Sequence, residues 1–370
     1  MSYYILPKNN NNICVNPISS ETNILKPYVS GTLYNYYNEI REQIIDILLN
    51  INDLSYNTFD EIIKIVNPYE YIFSKVPGSK FSVSKLKTKT NLFYDFLEVS
   101  SCLNIFDKFK DKSICALHIT KNSIDTIECF EMLREGFCDN IIYHDSLNEE
   151  IIKSIGDNKF DFLFFETNES CINKYIFNFI QFLMIILRNQ NNEGTTIIKI
   201  SNIFYKPIVD ILYLLTSLFE KVYVIKPNTS NITTFDKYIV CKNFIYNENK
   251  INQSKINYLT LFIFLKKLEN NYINSIFDFE LPYYFITKLD DMNNTIGQQQ
   301  LEALDQIISI LKNKNKDDKI EMIKKSNIQK SVSWCEKYKI PCNKFTEKIN
   351  IFLPIIKEVS NENEVQSKEI

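Results

Sequence analysis

Along the middle of the chain, short continuous apolar runs alternate with stretches whose apolar residues are spaced as in a helix. The short runs predict strands over 113–119, 140–143, 160–165, 195–200, 222–225 and 238–242, and the last two of these predict a hairpin pair. The spaced stretches predict helices over 123–134, 147–155, 171–188 and 206–219. Strands that alternate with helices favour an α/β fold with a mainly parallel sheet covered on both faces.

Outside this middle part, the pattern is helical only. Helices are predicted over 33–49, 59–66 and 91–109 on one side, and over 256–270, 298–313 and 318–335 on the other. We therefore expect an N-terminal helical segment over 1–60, an α/β domain over 61–250 and a C-terminal α-helical extension over 251–354. The polar and charged residues 355–370 are expected to form a disordered tail.

Composition narrows the class of protein. The most apolar stretch, 175–187, is shorter than the roughly 20 residues that cross a bilayer, so a buried helix is predicted and not a membrane span. The net charge of −3 does not mark the whole chain as a binder of polyanions, although local basic patches remain possible. Nine scattered cysteines and a polar N-terminus predict an intracellular, reducing location with free thiols. The two histidines and the cysteines show no zinc-ligand spacing, so no metal site is predicted.

Charged residues follow or end several of the predicted strands. Asp145, Glu166 and Lys199 do so, and Asp236 immediately precedes the last strand. The carboxyl ends of parallel strands meet at one edge of the sheet, where ligands of such sheets bind. A lysine held there with carboxylates could deprotonate a hydroxyl, provided that its pKa is lowered by burial or by another cation. The alternative is a set of solvated charges at strand ends.

The stretches that contain these residues resemble a known family. FDFLFFE (160–166), NEGTTIIKI (192–200) and EKVYVIKPNTSNITTFDKYIVCKNF (220–244) are similar to three motifs of the FtsJ/RrmJ family of S-adenosylmethionine-dependent ribose 2′-O-methyltransferases. They look closest to the cap-methylating branch of large nucleocytoplasmic DNA viruses, and NIQKSVSWCEKYKIP (327–341) is similar to the tail of that branch. The resemblance implies a Rossmann-like methyltransferase fold.

The family's catalytic tetrad is Lys–Asp–Lys–Glu. Lys199 matches the central lysine, which the resemblance implies is the base; Glu166 stands in place of the family's Asp, and Asp236 in place of its Glu. Lys89 is our choice for the first lysine, with Lys85 and Lys87 as alternatives. Each exchanged carboxylate is displaced by about one methylene, and a misplacement of about 1 Å can cost on the order of 100-fold in rate.

The resemblance also implies S-adenosylmethionine as cofactor. Asp145 would hold the ribose of its adenosine, and His118 and Thr120 would lie in the turn that contacts it. Members of the family have a glycine-rich turn here, which lets the backbone approach the cofactor closely, whereas residues 114–130 contain no glycine.

A basic loop is predicted to contact RNA phosphates through Lys75, Lys80, Lys85 and Lys87. Two functions follow. The first is an enzyme that methylates the ribose 2′-OH of capped mRNA, in a host cytoplasm or virion and together with viral capping or transcription subunits. The second, favoured by the glycine-free turn, is a catalytically inactive protein of the same fold that serves such a complex as an RNA-binding or scaffolding subunit.

Overall fold

The computed structural model describes residues 2–22, 26–50, 56–167, 169–245, 247–268, 271–312 and 317–343. Its strands are β1 Ser2–Ile5, β2 Ile18–Ser20, β3 Cys115–Ile119, β4 Asn140–His144, β5 Phe160–Glu166, β6 Gln190–Ile200, β7 Phe219–Lys226, β8 Lys237–Phe244 and β9 Tyr272–Ser275. Its α-helices are α1 Gly31–Asn50, α2 Tyr56–Val66, α3 Leu92–Cys102, α4 Ser123–Leu133, α5 Glu149–Ile155, α6 Ile172–Asn189, α7 Lys206–Leu218, α8 Glu248–Lys267, α9 Tyr283–Lys312 and α10 Asp317–Lys337. The predicted tail over 355–370 lies outside the described residues.

Seven strands form one sheet in the order β1-β7-β8-β6-β5-β3-β4. Strands β4, β3, β5 and β6 are parallel, and β8 is antiparallel to both of its neighbours, so β7 runs in the direction of the parallel four. The predicted α/β, Rossmann-like fold is confirmed. The chain crosses from β4 back to the other side of β3 to form β5, and the strand order therefore reverses beside β3. Ligands of such sheets bind beyond the carboxyl ends of the strands at this switch point.

Both faces of the sheet are buried, which explains the continuous apolar runs of its strands. On β5, Leu163 and Phe165 belong to the core formed with α6 and α7. The alternate residues Phe162 and Phe164 belong to the core formed with α3 and α4. Successive side chains of a strand point to opposite faces, so a residue's position along its strand decides which helices it meets.

The helix predicted over 91–109 is shorter than expected, because α3 ends at Cys102. Asn104 follows in the left-handed conformation, with φ 48°. The Ile105 N–H then donates to the Ser100 carbonyl (3.0 Å), and the Asn104 N–H to the Ser101 carbonyl (3.3 Å). These are the two hydrogen bonds of a Schellman cap, with asparagine in the place usually taken by glycine. The apolar spacing continues past this cap and so concealed it.

The segments that flank the middle part contribute to the same structure. Strand β1 extends the sheet by pairing with β7, and β2 pairs with β9; the sequence pattern predicted none of the strands β1, β2 and β9. Helix α9 begins at Tyr283, well before the predicted 298, and it packs against α1. The N-terminal segment is therefore not purely helical, and both flanking segments pack on the α/β part.

Gly297 of α9 lies opposite Leu33 of α1, and it tests how closely these helices pack. A Cβ at position 297 would come within 2.5 Å of Leu33 Cδ1. Overpacking of this kind costs about 1–3 kcal/mol, which exceeds the gain of about 1 kcal/mol when alanine replaces glycine within a helix. We expect Gly297→Ala to lower the free energy of unfolding by up to about 2 kcal/mol, measured by urea denaturation.

Gly31→Ala is the matched control, because a Cβ there would meet only Pro27 Cβ, at 4.0 Å. It should leave the free energy of unfolding unchanged or slightly higher. A Gly297→Ala variant as stable as the wild type would contradict close packing of α1 on α9.

Candidate active site

An ion pair joins two adjacent parallel strands at their carboxyl ends. Glu166 of β5 and Lys199 of β6 are register partners, and Lys199 Nζ lies 2.7 Å from Glu166 Oε1. The Glu166 side chain is 1% exposed and that of Lys199 is 19% exposed. The hydroxyl of Thr120, in the turn after β3, donates to Glu166 Oε2. Both oxygens of this carboxylate are therefore engaged by neighbours.

The period of the strands explains why these residues meet. Phe164, Ile197 and Val240 point to the α3 side of the sheet. Glu166 lies two residues after Phe164 on β5, and Lys199 lies two residues after Ile197 on β6. Both side chains therefore also point to the α3 side. Tyr238 of β8, the register partner of Lys199, does the same. The strand ends thus bring an acid, an amine and a phenol together below α3.

Helix α3 adds a carboxylate that the sequence reasoning missed. Asp95 is buried and accepts hydrogen bonds from Thr229 Oγ1 (2.5 Å) and from Tyr238 OH (2.9 Å). Burial raises the pKa of Asp95 to about 6, although the charge of Lys199 acts to lower it. Two acids, Asp95 and Glu98, inside the otherwise apolar helical stretch LFYDFLEV were the available signal, because acids are almost never fully buried unless paired.

Asp236 and Lys226 complete this charged cluster. Asp236 immediately precedes β8 and is half-buried, and its charge acts on both Lys199 and Lys226. The ammonium of Lys226 donates to the backbone carbonyls of Asn231 (3.0 Å), Thr234 (2.6 Å) and Asp236 (3.1 Å). Burial lowers the pKa of Lys226 to about 8. Asp95, Glu166, Lys199, Lys226 and Asp236 are called the acidic cluster below.

The direction of the Lys199 pKa opposes the role expected for this residue. Burial acts to lower the pKa of Lys199, but the charges of Glu166, Asp236 and Asp95 outweigh burial and raise the pKa. A lysine that serves as a base at neutral pH needs a lowered pKa. Lys199 is instead a cation at neutral pH, suited to orienting a hydroxyl and stabilising negative charge on its oxygen.

The candidates for the first lysine of the expected tetrad lie in the loop before α3. Lys85, Lys87 and Lys89 are all exposed. The Lys89 backbone N–H donates to Asp125 Oδ1 (2.9 Å), just before α3 begins. On α3 itself, the charge of Asp95 acts on Lys199.

The residues predicted to bind the cofactor lie at the ends of the adjacent strands β3 and β4, in different surroundings. The His118 ring is fully buried among Phe130, Phe162 and Phe164, and its Nδ1 lies 2.9 Å from Thr126 Oγ1. Burial lowers its pKa to about 3, so it is neutral at physiological pH. Thr120 contacts Glu166, as described above. Asp145 is exposed beyond β4 and accepts a hydrogen bond from Ser123 Oγ (3.1 Å).

A cavity of about 440 Å³ lies at the switch point, between the ends of β4 and β5. Its lining includes Lys121, Asp145, Glu166, Glu169 and Phe177. Small-molecule sites commonly have volumes of about 300–1,000 Å³, and Asp145 can accept hydrogen bonds from ribose hydroxyls. The lining also includes Lys174, so it carries charges of both signs. The volume and Asp145 of this switch-point cavity suit a nucleoside ligand, although Thr120 occupies part of the turn where glycine was expected.

The basic loop reaches the same edge of the sheet. Lys75, Lys80, Lys85 and Lys87 are exposed. Its far end is fixed where the backbone N–H groups of Lys89 and Thr90 donate to Asp125 Oδ1 (2.9 Å) and Oδ2 (2.7 Å) in the first turn of α4.

No group of three or more potential metal-ligating His, Cys, Asp or Glu residues occurs within the described ranges. None of the helices in the described part of the chain is long and apolar enough to cross a membrane. The nine cysteines, all within the described ranges, are free.

Comparison with known proteins relates part of the chain to RNA cap methyltransferases. It is 28% identical over 147 residues to cap-specific mRNA (nucleoside-2′-O-)-methyltransferase 1 of Drosophila melanogaster, a match covering 38% of this chain and 18% of that protein. It is 26% identical over 119 residues to the Leishmania braziliensis protein of the same name, covering 31% of this chain and 29% of that protein. The matches thus span less than a third of either relative. No family model matches.

Two solved structures match the chain at low similarity. Human methyltransferase-like protein 13 in complex with SAH is 11% identical, with a TM-score of 0.28, and the match covers 46% of this chain and 92% of that one. PigF with SAH is 12% identical, with a TM-score of 0.21, and the match covers 57% of this chain and 70% of that one.

The buried carboxyl of Asp95 gives the site a measurable pH dependence. Burial raises its pKa from the ordinary 3.8 to about 6. The folded chain therefore holds this proton more tightly than the unfolded chain, and the stability that the group contributes is lost as the pH rises from about 4 to 6. At 1.36 kcal/mol per pKa unit, the loss is about 3 kcal/mol. Between pH 4 and pH 7, the free energy of unfolding of the wild type should therefore fall by about 3 kcal/mol more than that of Asp95→Asn, measured by urea denaturation at each pH.

Asp107→Asn, at an exposed position, is the control and should follow the wild-type profile. Parallel pH profiles of Asp95→Asn and wild type would show that Asp95 is not held in the buried, proton-retaining environment described here.

Proposed function

We propose that this chain binds S-adenosylmethionine and methylates a ribose 2′-OH of capped RNA. The observation that carries the proposal is the Lys199–Glu166 ion pair (2.7 Å), set within the acidic cluster and beside a cavity at the switch point. The named activity of the two sequence relatives supports the choice of acceptor.

S-adenosylmethionine supplies an activated methyl group on a sulfonium, so the protein has to orient the acceptor and remove its proton. Asp145 would accept hydrogen bonds from the ribose of the cofactor at the end of β4. Glu166 and Glu169 also line the switch-point cavity, together with Lys121 and Lys174, and the carboxylate of Glu169 or Glu166 would suit the sulfonium charge. Thr120 holds the Glu166 carboxylate in place from the turn after β3.

Lys199 would orient the acceptor hydroxyl and stabilise the negative charge that develops on its oxygen, because its pKa is raised and it stays protonated. The proton must then pass to a carboxylate. Asp95 accepts hydrogen bonds from Thr229 and Tyr238, and Glu166 has both oxygens engaged. Asp236 is the least buried acid of the cluster, and we assign it as the acceptor of this proton.

A methylation assay tests these roles. Wild-type chain, capped RNA and S-adenosylmethionine with a labelled methyl group are incubated, and label in the ribose 2′-O position is measured. Lys199→Met should reduce the rate by at least about 100-fold, because removing one donor to a developing oxyanion costs about 10²–10³ in kcat. Asp236→Asn should reduce it by about 10²–10⁴, the usual range for loss of a general base.

Lys221→Met is the matched control, since Lys221 is exposed at the start of β7, far along the sheet from the cluster. It should methylate at the wild-type rate. Full activity in Lys199→Met would exclude the proposed site even if the wild type is a methyltransferase.

A second candidate is a catalytically inactive protein of the same fold. It would bind RNA as a subunit of a viral capping or transcription complex. Two observations favour it: three carboxylates keep Lys199 protonated, and the Thr120 hydroxyl, not glycine, shapes the turn after β3. Calorimetry with S-adenosylmethionine separates the two candidates. Micromolar binding of the cofactor, weakened by Asp145→Ala, would support the enzyme. If no heat of binding is measured at millimolar cofactor, the catalytically inactive protein is supported.

Both candidates require RNA contact through the basic loop. Substituting Lys75, Lys80, Lys85 and Lys87 together by Gln should weaken binding to single-stranded RNA and make it less dependent on salt. The slope of log K against log salt should fall by about 0.7 for each phosphate contact that is lost. The measurement is fluorescence anisotropy of a labelled oligoribonucleotide across a salt series.

The control removes the same number of charges elsewhere on the surface, at exposed positions of β7 and α8: Lys221, Lys255, Lys266 and Lys267, each to Gln. Equal losses of slope in both variants would mean that the loop has no special part in RNA binding.

A further inference from the structure

A second cavity, of about 390 Å³, lies beside the acidic cluster and is walled on one side by α1. Residues that line it include Tyr34, Tyr37, Asn38, Asn202, Tyr205 and Asp236. We call it the tyrosine cavity. Glu169 borders both this cavity and the switch-point cavity, so the two are neighbours across the end of β5.

We propose that the tyrosine cavity holds the nucleobase of the nucleotide that is methylated, which makes α1 a substrate-binding element. That the bound nucleotide is the one methylated rests on the proposed function. That the cavity binds a planar base is argued from the residues that line it.

The aromatic rings of the cavity are fixed by packing before any ligand arrives. The Tyr34 ring is 5.2 Å from that of Phe204, and the Tyr37 ring is 4.4 Å from that of Phe235 (centroid distances). The Tyr205 hydroxyl donates to the Tyr34 hydroxyl at 3.3 Å. Rings that are already ordered lose little conformational entropy when a base stacks on them, and such stacking is tolerant of base identity.

The cavity also has an unfilled hydrogen-bond acceptor. The side-chain carbonyl oxygen of Asn202 is buried and has no hydrogen-bond partner within the part of the chain that the structure describes. Buried polar atoms are nearly always paired, so such an atom calls for an explanation. An N–H group on the edge of a nucleobase would supply the missing donor once the Asn202 amide turns toward the cavity, and Asn38 offers a second amide in the lining.

The position of Asp236 links this cavity to chemistry. It lines the tyrosine cavity, and its charge raises the pKa of Lys199. A base held against Tyr37 would therefore place its attached ribose next to Asp236 and Lys199. The guanidinium of Arg41, which lies over the Tyr37 ring at 5.5 Å, is exposed at the edge of the cavity, where a phosphate of the same nucleotide could reach it.

A double-mutant cycle between protein and RNA tests the inference without requiring methyl transfer. Binding of capped five-nucleotide RNAs, in which each nucleotide in turn lacks its base, is measured by fluorescence anisotropy. For the wild type, removing the base at one position should weaken binding by about 5- to 150-fold, the range for loss of one stacked base. Tyr37→Ala should weaken binding of the intact RNA by a similar factor and should be nearly insensitive to removal of that base.

Two further variants make the result specific. Tyr37→Phe keeps the ring and should retain the wild-type sensitivity to base removal. Tyr36→Ala is the matched control, because Tyr36 is the neighbouring tyrosine of α1 and is 55% exposed. It should behave as the wild type. If Tyr37→Ala does not fold, Asn202→Leu should still reduce sensitivity to base removal while the rings remain.

The inference is overturned if base removal weakens binding equally in wild type, Tyr37→Ala and Asn202→Leu, or if Tyr36→Ala and Tyr37→Ala have the same effect. If Tyr37→Ala removes the sensitivity to base removal but the wild type does not methylate RNA, the base-binding role of the cavity is supported and the enzyme function is contradicted. If the wild type methylates RNA but Tyr37→Ala keeps the sensitivity to base removal, the enzyme function is supported and the role of the cavity is contradicted.

Discussion

The arrangement of the site depends on the confinement of one ammonium among three carboxylates. Lys199 is held by Glu166 at 2.7 Å and by the charges of Asp236 and Asp95. Taking charges out of water is costly, and removing one partner of a buried pair is more costly still, because the other is left uncompensated. The ends of β5, β6 and β8 and the middle of α3 are therefore tied together by charge balance, in addition to apolar packing. The geometry of the proposed acceptor site follows from this constraint.

The apolar core makes such a cluster possible. Because both faces of the sheet are covered, side chains at the strand ends alternate strictly between the α6–α7 side and the α3–α4 side. Glu166 and Lys199 fall on the α3 side through their register, at the edge where the strand order reverses. A shift of one residue in either strand would send its charged side chain to the opposite face. The site is thus set by the same alternation that builds the core.

This dependence explains what could be predicted from sequence. The apolar runs predicted the central strands, and the charges at their ends predicted Glu166, Lys199 and Asp236, because strand ends of a parallel sheet converge. Asp95 could not be placed in this way, since its partner Tyr238 is far along the chain and helical spacing does not show which helix covers which strand. The short strands β1, β2 and β9 carry too few residues for a clear alternation. The identity of the first tetrad residue depends on tertiary packing in the same way, so Lys89 stays a prediction.

The balance of charge in the cluster also bears on what it can bind. Lys199 and Lys226 face Asp95, Glu166 and Asp236, so the cluster carries one net negative charge when every group is ionised. A site with a second ammonium in place of Asp95 would lower the pKa of Lys199 and favour deprotonation of the lysine. The acid in this position does the reverse, because it keeps Lys199 charged. In the proposed reaction Lys199 would therefore stabilise an oxyanion. Proton removal would depend on Asp236, the acid that the cluster shares with the tyrosine cavity.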